Sequence, residues 1–489
     1  MTPSKLIAGL WTGLLAATLS AQSAPQAAQD YTVSHRPELT DRFAQFLAIP
    51  DVALDPDGLK RNANLLVSEL QKRGVEARML TIPGSPAVVY GRIDVPGAKH
   101  TIVFYAHYDG QPVTPAEWTV TPPFTPLIKD VNGEPRIYAR AAGDDKAAIF
   151  AQLTALDALR AAHIPLKANV RFVWEGEEEA GSPHLEEILS ANRELIRSDL
   201  FLVCDGPVDQ SGKQSIAFGA RGDTHLEITV YGPNHGLHSG HYGNWAPNPA
   251  MMLAQLLAGM KDENGRVLIP NFYDGVAPLS AIEKQALAAA PVNDRMLMDA
   301  FSLGHVDGGG AHLLDLINQP SLNINGLAAA QTGPRAANVI PTTATADIDM
   351  RLVVGNDWRE QQQRVVDYIA SRGYFVVDQE PTREILLAHP RVARVVREMA
   401  SYNAIRTPMD LPIAQEVIAA VKSARVEVIL LPTMGGSVPL GAMVRPSGAR
   451  TVTVPIANYD DNQHTANENL RLQNLWDGVE TMAALLVME

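Results

Sequence analysis

The apolar positions of this chain fall into two textures. Up to about residue 215, and again after about 382, short apolar runs alternate with helical patterns. AVVYGRI (87–93), HTIVFYA (100–106), NVRFVW (169–174), LFLVC (200–204) and RTVTVPI (450–456) predict strands. Their mostly apolar character suits a sheet covered on both faces. Between two of them, KAAIFAQLTALDALRAAH sets Ile149, Leu153, Leu156 and Leu159 at helical spacing. From 216 to about 382 the pattern alternates strictly. Leu226, Ile228 and Val230 share one face of DTHLEITVYG, and Ala346, Ile348, Met350 and Leu352 share one face of TATADIDMRLVV. That alternation predicts a sheet with one wet face, with helical segments such as NPAMMLAQLLAGM between its strands. The fold read from the pattern is α/β. A mixed-sheet domain covered by helices on both faces spans 24–215 and 383–489, resuming at HPRVARVVREMA, and an α+β domain is inserted at 216–382.

Length agrees with that division, because 489 residues exceed one ordinary core. A net charge of −14 argues against a broad basic face for nucleic acid or an anionic membrane surface. The N-terminus changes the picture more. Lys5 precedes an apolar stretch from Leu6 to Leu19, and small residues follow around Ala21-Gln22-Ser23. This pattern predicts a secretory signal peptide over 1–23, too short for a stable membrane span, and hence an exported protein, periplasmic or secreted. The Ala/Gln-rich stretch to about Asp30 reads as a loose leader. Cys204 is the one cysteine, so no internal disulfide is available, and its apolar run predicts a buried, inert thiol.

The polar residues gather where chemistry is expected. IVFYAHYDG ends a strand with His107 and Asp109, RFVWEGEEE ends another with four glutamates, and LFLVCDG ends a third with Asp205. A fourth is followed by His464, and ARAAGDDKAA sets Asp144 and Asp145 just before the helix. In open α/β sheets, ligands bind at the carboxyl ends of the strands. Five such coincidences point to a metal site. His and carboxylate mixtures suit zinc or a similar divalent ion, and two ions can share one bridging carboxylate.

At these residues the chain resembles the di-zinc metallopeptidase family of carnosinases, aminoacylases, bacterial glutamate carboxypeptidase and succinyl-diaminopimelate desuccinylase. HYDGQP, GDDK, EGEEEAGS, CDG, HSG, NVIP, MRLV, GGSVP and DDNQHTANENL occur in the family's order over nearly the whole chain after the leader. EGEEEAGS and GGSVP favour the dipeptidase and carboxypeptidase branch. The resemblance implies that Asp144 bridges two metal ions, with His107 and Asp205 completing one set and Glu179 and His464 the other. Zinc is the expected metal, with manganese or cobalt as alternatives. Asp109 orients His107 through its second ring nitrogen, and Asp145 supports the turn through a cis Asp-Asp bond. Glu178 is the general base toward a metal-activated water, while Glu175 and Glu177 are loop or supporting residues.

By the same resemblance the inserted domain is a lid and dimerisation domain of a homodimer. His238 of HSG then reaches the reacting oxyanion, often from the partner subunit; His235 and His241 read as ordinary loop histidines. Arg351 on its strand's polar face and the amides of Gly435, Gly436 and Ser437 are candidates for holding a substrate carboxylate, and Asn338 of NVIP for a further polar contact. The chain departs from the family pattern at Ala147, at ARAAG, and in GLHSG, which lacks an acidic residue before the leucine. The expected activity is hydrolysis of an amide bond in small peptides with a free carboxylate. An N-acyl-amino-acid deacylase would use the same ions and base, and a non-catalytic exported binding protein would keep only the fold.

Overall fold

The structure is a computed structural model and describes residues 22–438 and 440–489. The signal-peptide expectation over 1–23 lies outside it but for the last two positions. Immediately after them, a helix runs Ala24–Leu47 with Ser23 accepting from the amide of Gln26. Ala24, Ala27 and Ala28 are buried on it. The Ala/Gln stretch to Asp30 is therefore packed helix and not a loose leader: its alanines are small enough to lie against the core.

Eight strands form the larger sheet, in the order Glu76–Leu80, Val88–Ile93, Asn169–Glu175, Thr101–His107, Leu200–Val203, Arg450–Thr453, Gln214–Ala217 and Val428–Leu431. The strand Thr101–His107 pairs in parallel with both of its neighbours, whereas Val88–Ile93 runs antiparallel, so the sheet is mixed. Its side chains alternate between two cores. Ile102, Phe104 and Ala106 join Phe172 and Trp174 on one face. Val103 and Tyr105 join Val173 and Phe201 on the other. The first face carries the helices Ala24–Leu47, Lys146–Ala161 and Leu472–Leu486, and the second carries Leu185–Ala191 and Leu440–Ser447. Each buried Leu, Ile or Phe adds about 1.5–3 kcal/mol to the fold, which fixes the strand ends against rigid layers.

The second sheet has five strands, ordered Ser321–Ala328, Thr343–Leu352, Gly222–Tyr231, Val392–Arg397 and Phe375–Val377. Leu226, Ile228, Val230, Ala346, Ile348, Met350 and Leu352 all face its one core, covered by the helices Pro249–Ala258 and Trp358–Ser371. The alternating pattern placed these residues as observed. The expected boundary at 382 is moved by the strand Val392–Arg397, which pairs antiparallel with Gly222–Tyr231. HPRVARVVREMA thus belongs to the second sheet. Val392, Val395 and Val396 have no clean two-residue period, so nothing in their spacing marks a strand. No helix among the described residues is long and apolar enough to cross a membrane.

Candidate metal centre

Two strand ends and three connecting segments bring the centre together. His107 closes the strand Thr101–His107, and beside it Glu175 closes Asn169–Glu175 in register. The loop after Leu200–Val203 supplies Asp205, the turn before Lys146–Ala161 supplies Asp144, and the loop after Arg450–Thr453 supplies His464. His107 Nε2 lies 2.9 Å from Asp144 Oδ1 and 3.9 Å from Asp205 Oδ1. His464 Nε2 lies 3.0 Å from Asp144 Oδ2 and 3.3 Å from Glu179 Oε2. Two donor sets result, His107–Asp144–Asp205 and Asp144–Glu179–His464, sharing Asp144 through its two oxygens. These are the five residues the motifs assigned as ligands.

The electrostatics show what the centre lacks within the protein. Asp109, Asp144 and Asp205 are buried, and Glu178 and Glu179 are shielded beside them. The nearest fixed cations are already matched, Arg140 with Glu468 at 2.7 Å and Lys146 with Asp51 at 2.8 Å. Burial and the neighbouring Asp144 push Glu179 up to about 9 and Asp205 up to about 6. Burial, with Asp205, Glu179 and Asp144 nearby, lifts Glu178 well above the usual carboxylate range. For Asp144, burial is outweighed by hydrogen bonds from His107, His464 and Gln463, which hold it far below that range. A buried cluster of carboxylates with two imidazoles and, among the described residues, no unpaired cation shown against it matches the donor chemistry of a pair of divalent ions. The residues present fit that group.

The surrounding contacts fix the donors. The Asp144–Asp145 bond is cis, as the resemblance implied, and Asp145 Oδ2 accepts from the His107 amide at 3.3 Å. Asp109 contacts more than the ring it is expected to orient. His107 Nδ1 is 3.0 Å from the main-chain carbonyl of Asp109 and 3.4 Å from its carboxylate. The carboxylate also accepts from the amides of Glu178 at 3.1 Å and Glu179 at 3.0 Å. It therefore pins the EGEEE turn beside His107, whose Nδ1 faces both the carbonyl and the carboxylate of Asp109. Glu175 accepts from the Tyr105 hydroxyl at 2.6 Å, and Glu177 from the amide and ring of His184 at 2.9 Å each. Both are buried braces.

Glu468 was not singled out by its motif, yet it holds the bridging loop. Its carboxylate accepts from the amides of Ala141, Gly143 and Asp144 and from Arg140. Gln463 donates to Asp144 Oδ2 at 2.6 Å, and Gln111 to Glu179 Oε2 at 2.7 Å. Only the position of Glu468 inside DDNQHTANENL hinted at such a role.

A cavity of about 1400 Å³ opens over the centre, lined by Asp144, Glu178, Asp205 and His464 at one end. Arg351, Gly435, Gly436 and Ser437 line it too, as the sequence proposed. Arg351 donates to Ser437 Oγ at 2.8 Å and is steadied by Asp349 at 3.2 Å and Asp223 at 3.4 Å. Asp223, His225 and Asp349 form a further acidic and imidazole group, but the guanidinium already sits against both carboxylates. His238 and Asn338 stand apart. They lie on the small ribbon Leu237–His238 with Val339–Ile340, where the Ser239 amide donates to Asn338 O, and neither lines the cavity of its own chain. The His238 ring is exposed and lies 4.6 Å from that of His241, tilted by 41°. Cys204 is buried against Met482, as its apolar run predicted.

The chain has relatives among known proteins. The sequence profile described as Peptidase family M20/M25/M40 matches residues 103–488. A Cys-Gly metallodipeptidase of Candida albicans is 27% identical over 481 residues, covering 92% of this chain and 94% of its own. Human Beta-Ala-His dipeptidase is 26% identical over 419 residues, 82% of this chain and 77% of its own. Among solved structures, an M20 family metallo-carboxypeptidase from Sulfolobus solfataricus superposes with a TM-score of 0.76 at 27% identity, covering 92% of this chain and 99% of that one.

Proposed function

The chain belongs to peptidase family M20/M25/M40, and from that premise we propose that it hydrolyses the amide bond before a C-terminal residue in small peptides with a free carboxylate. The observation that carries the reading is Asp144, shared by two His/carboxylate sets in the same cavity that holds Arg351. The metal-dependent peptidase assignment follows from the family. Dipeptidase or carboxypeptidase selectivity, the identity of the ions and the roles below are our reading.

His107, Asp144 and Asp205 would hold one divalent ion and Asp144, Glu179 and His464 the other, with zinc suited to this His and carboxylate mixture. When bound, such a pair polarises the scissile carbonyl and makes water acidic enough to be nucleophilic near neutral pH. Glu178 takes the proton of the attacking water and delivers it to the leaving amine. Asp109, through the Glu178 and Glu179 amides, sets where that carboxylate stands. Arg351 and Ser437 receive the substrate's terminal carboxylate, a planar fork suited to a planar anion. Among the described residues, the Gly435, Gly436 and Ser437 amides have no protein acceptor, and they complete an anion nest.

His238 completes the site from a second copy of the chain, since its ribbon leaves it exposed and outside its own cavity. We also read the chain as exported. The charged and apolar N-terminal pattern supports this. A panel of dipeptides set against N-acetyl amino acids tests the activity. Faster turnover of dipeptides supports the peptidase reading, and turnover of N-acetyl amino acids alone would replace it with a deacylase.

A further inference from the structure

The cavity over the metal centre continues well beyond the ion ligands. Its volume of about 1400 Å³ exceeds the roughly 300–1,000 Å³ of ordinary small-molecule pockets. Much of its lining comes from one stretch of chain, residues 276–319, which carries the helices Ala281–Ala289, Asp294–Ala300 and Leu313–Ile317.

This stretch is anchored where the terminal carboxylate is seated. Near its start the Ala277 amide donates to Val354 O at 2.8 Å, just beyond the strand that carries Arg351. At its end Gln319 O accepts from Arg221 at 2.9 Å, and the same guanidinium nitrogen lies 3.5 Å from Arg351 O. The Arg221 amide in turn donates to Gly436 O at 3.4 Å. Between those ends, Ala281–Ala289 packs on Val428–Leu431, the strand that leads into Gly435–Ser437. Ile317 closes on Gly435, where an added Cβ would lie 3.3 Å from its Cδ1. The walls are also braced among themselves. A Ser280–Glu283 capping box starts the first helix, and Asp294 holds His312 at 2.6 Å and the Leu313 amide at 3.1 Å.

The lining has a consistent chemistry. Leu287, Val292, Leu297, Leu313, Ile317 and Met434 border the space, and Val292 and Leu313 remain 64% and 43% exposed. Apolar side chains left uncovered in a cavity continuous with a reaction centre mark a binding compartment. Its charge is acidic: among the described lining residues away from the ion ligands and Arg351, Asp209, Asp294 and Asp315 face Lys284 alone, with His312 engaged by Asp294.

We propose that this compartment takes the side chain of the substrate's C-terminal residue and selects a large apolar one, leucine or phenylalanine, over glycine and over glutamate. The inference rests on the peptidase reading above and on its carboxylate seat at Arg351 and Ser437. A side chain leaves the same Cα that bears the carboxylate. Seating that carboxylate against Gly435–Ser437 therefore starts the side chain beside Ile317, at the edge of the space walled by residues 276–319. A leucine or phenylalanine covers the apolar walls, whereas glycine leaves them wet. A glutamate brings a second carboxylate into a compartment with an acidic surplus, where an unpaired anion is costly.

The test is a dipeptide series with N-terminal alanine and glycine, leucine, phenylalanine or glutamate at the C-terminus, run beside the matching N-acetyl amino acids. Alanyl-leucine and alanyl-phenylalanine are expected to exceed alanyl-glycine in kcat/KM by about tenfold, the scale of apolar pocket discrimination, with alanyl-glutamate the poorest of the four. Ala288→Trp fills the compartment from an exposed position in its lining, and Leu287→Ser/Leu297→Ser makes its walls polar. Each should bring the leucine-to-glycine ratio toward unity. Equal cleavage of the glycine and leucine dipeptides, or a ratio that a folded Ala288→Trp enzyme leaves unchanged, overturns the compartment's role and leaves the peptidase reading standing. Preference for alanyl-glutamate overturns it as well. Turnover of N-acetyl amino acids with no dipeptide cleaved overturns the peptidase reading itself, and this inference with it.

Discussion

Replacing Asp109 by asparagine changes one atom and disturbs two glutamates. The wild-type carboxylate offers an oxygen to each of the Glu178 and Glu179 amides, at 3.1 and 3.0 Å, in a fully buried position. An asparagine has one carbonyl oxygen, so its NH2 must face one of those N–H donors. A buried donor left without an acceptor costs about 1–3 kcal/mol, and the surviving bond loses its charge assistance. Taking about 2 kcal/mol as the net strain on the turn, affinity for an ion at Glu179 and His464 should fall about 30-fold. Displacement of Glu178 should also lower kcat at saturating metal by tenfold or more. Competition against a coloured chelator gives the affinity, and turnover in excess metal gives kcat. Near-ultraviolet circular dichroism shows whether the fold is kept. A folded Asp109→Asn enzyme with unchanged metal affinity and kcat within twofold would refute the argument. The turn would then be held by its own contacts, such as the Gly181 amide on Glu178 O.

Glu178→Gln should retain both ions while kcat drops by about 10²–10⁴; metal content measured beside turnover checks it, and an active variant would remove Glu178 as the base. If His238 serves the neighbouring copy, mixing His238→Ala with Glu178→Gln chains should restore up to about a quarter of the activity, because one mixed site in each hybrid is intact and hybrids form half of a statistical pool. No recovery after exchange would place His238 outside the reaction. Cys204 lies in a buried pocket that, together with Asp145 and Asp205, raises its thiol far above its ordinary value. The folded protein should not react with a thiol reagent over minutes, whereas the denatured chain should show its single cysteine; a rapid native reaction would contradict that burial.

What was legible in the sequence was what repeats locally. Two-residue alternation fixed the buried faces of Gly222–Tyr231 and Thr343–Leu352, and the apolar runs located the strands that end in His107 and Glu175 and the one that leads into Asp205. The ordered motifs then named ligands scattered from His107 to His464. Residues acting over long separations without a period were harder to read. Glu468 binds Arg140 across 328 positions, and in NENL nothing separates a buried brace from a solvated acid. Asp109 shows the limit of a spacing rule: His-x-Asp brought the two residues together, but it did not reveal that the carboxylate also takes the amides of another loop. The strand Gln214–Ala217 has only four residues, too few to show a pattern. His238 and Asn338 were readable as motif members, but no sequence tells which chain's cavity a loop will serve.

The place of Arg450–Thr453 in the larger sheet bears on how the protein comes into being. That strand lies inside the sheet, between Leu200–Val203 and Gln214–Ala217, and the helix Leu472–Leu486 then packs on Lys146–Ala161. A growing chain must therefore carry an unfinished sheet, with strand edges unpaired, until its last few dozen residues emerge. Such edges are prone to pair with other chains, and contacts this distant in sequence form slowly. His464 and Glu468 arrive in the same late stretch, so the metal centre cannot assemble on a nascent fragment. Truncation in this region should yield insoluble protein, not a folded enzyme with weakened catalysis.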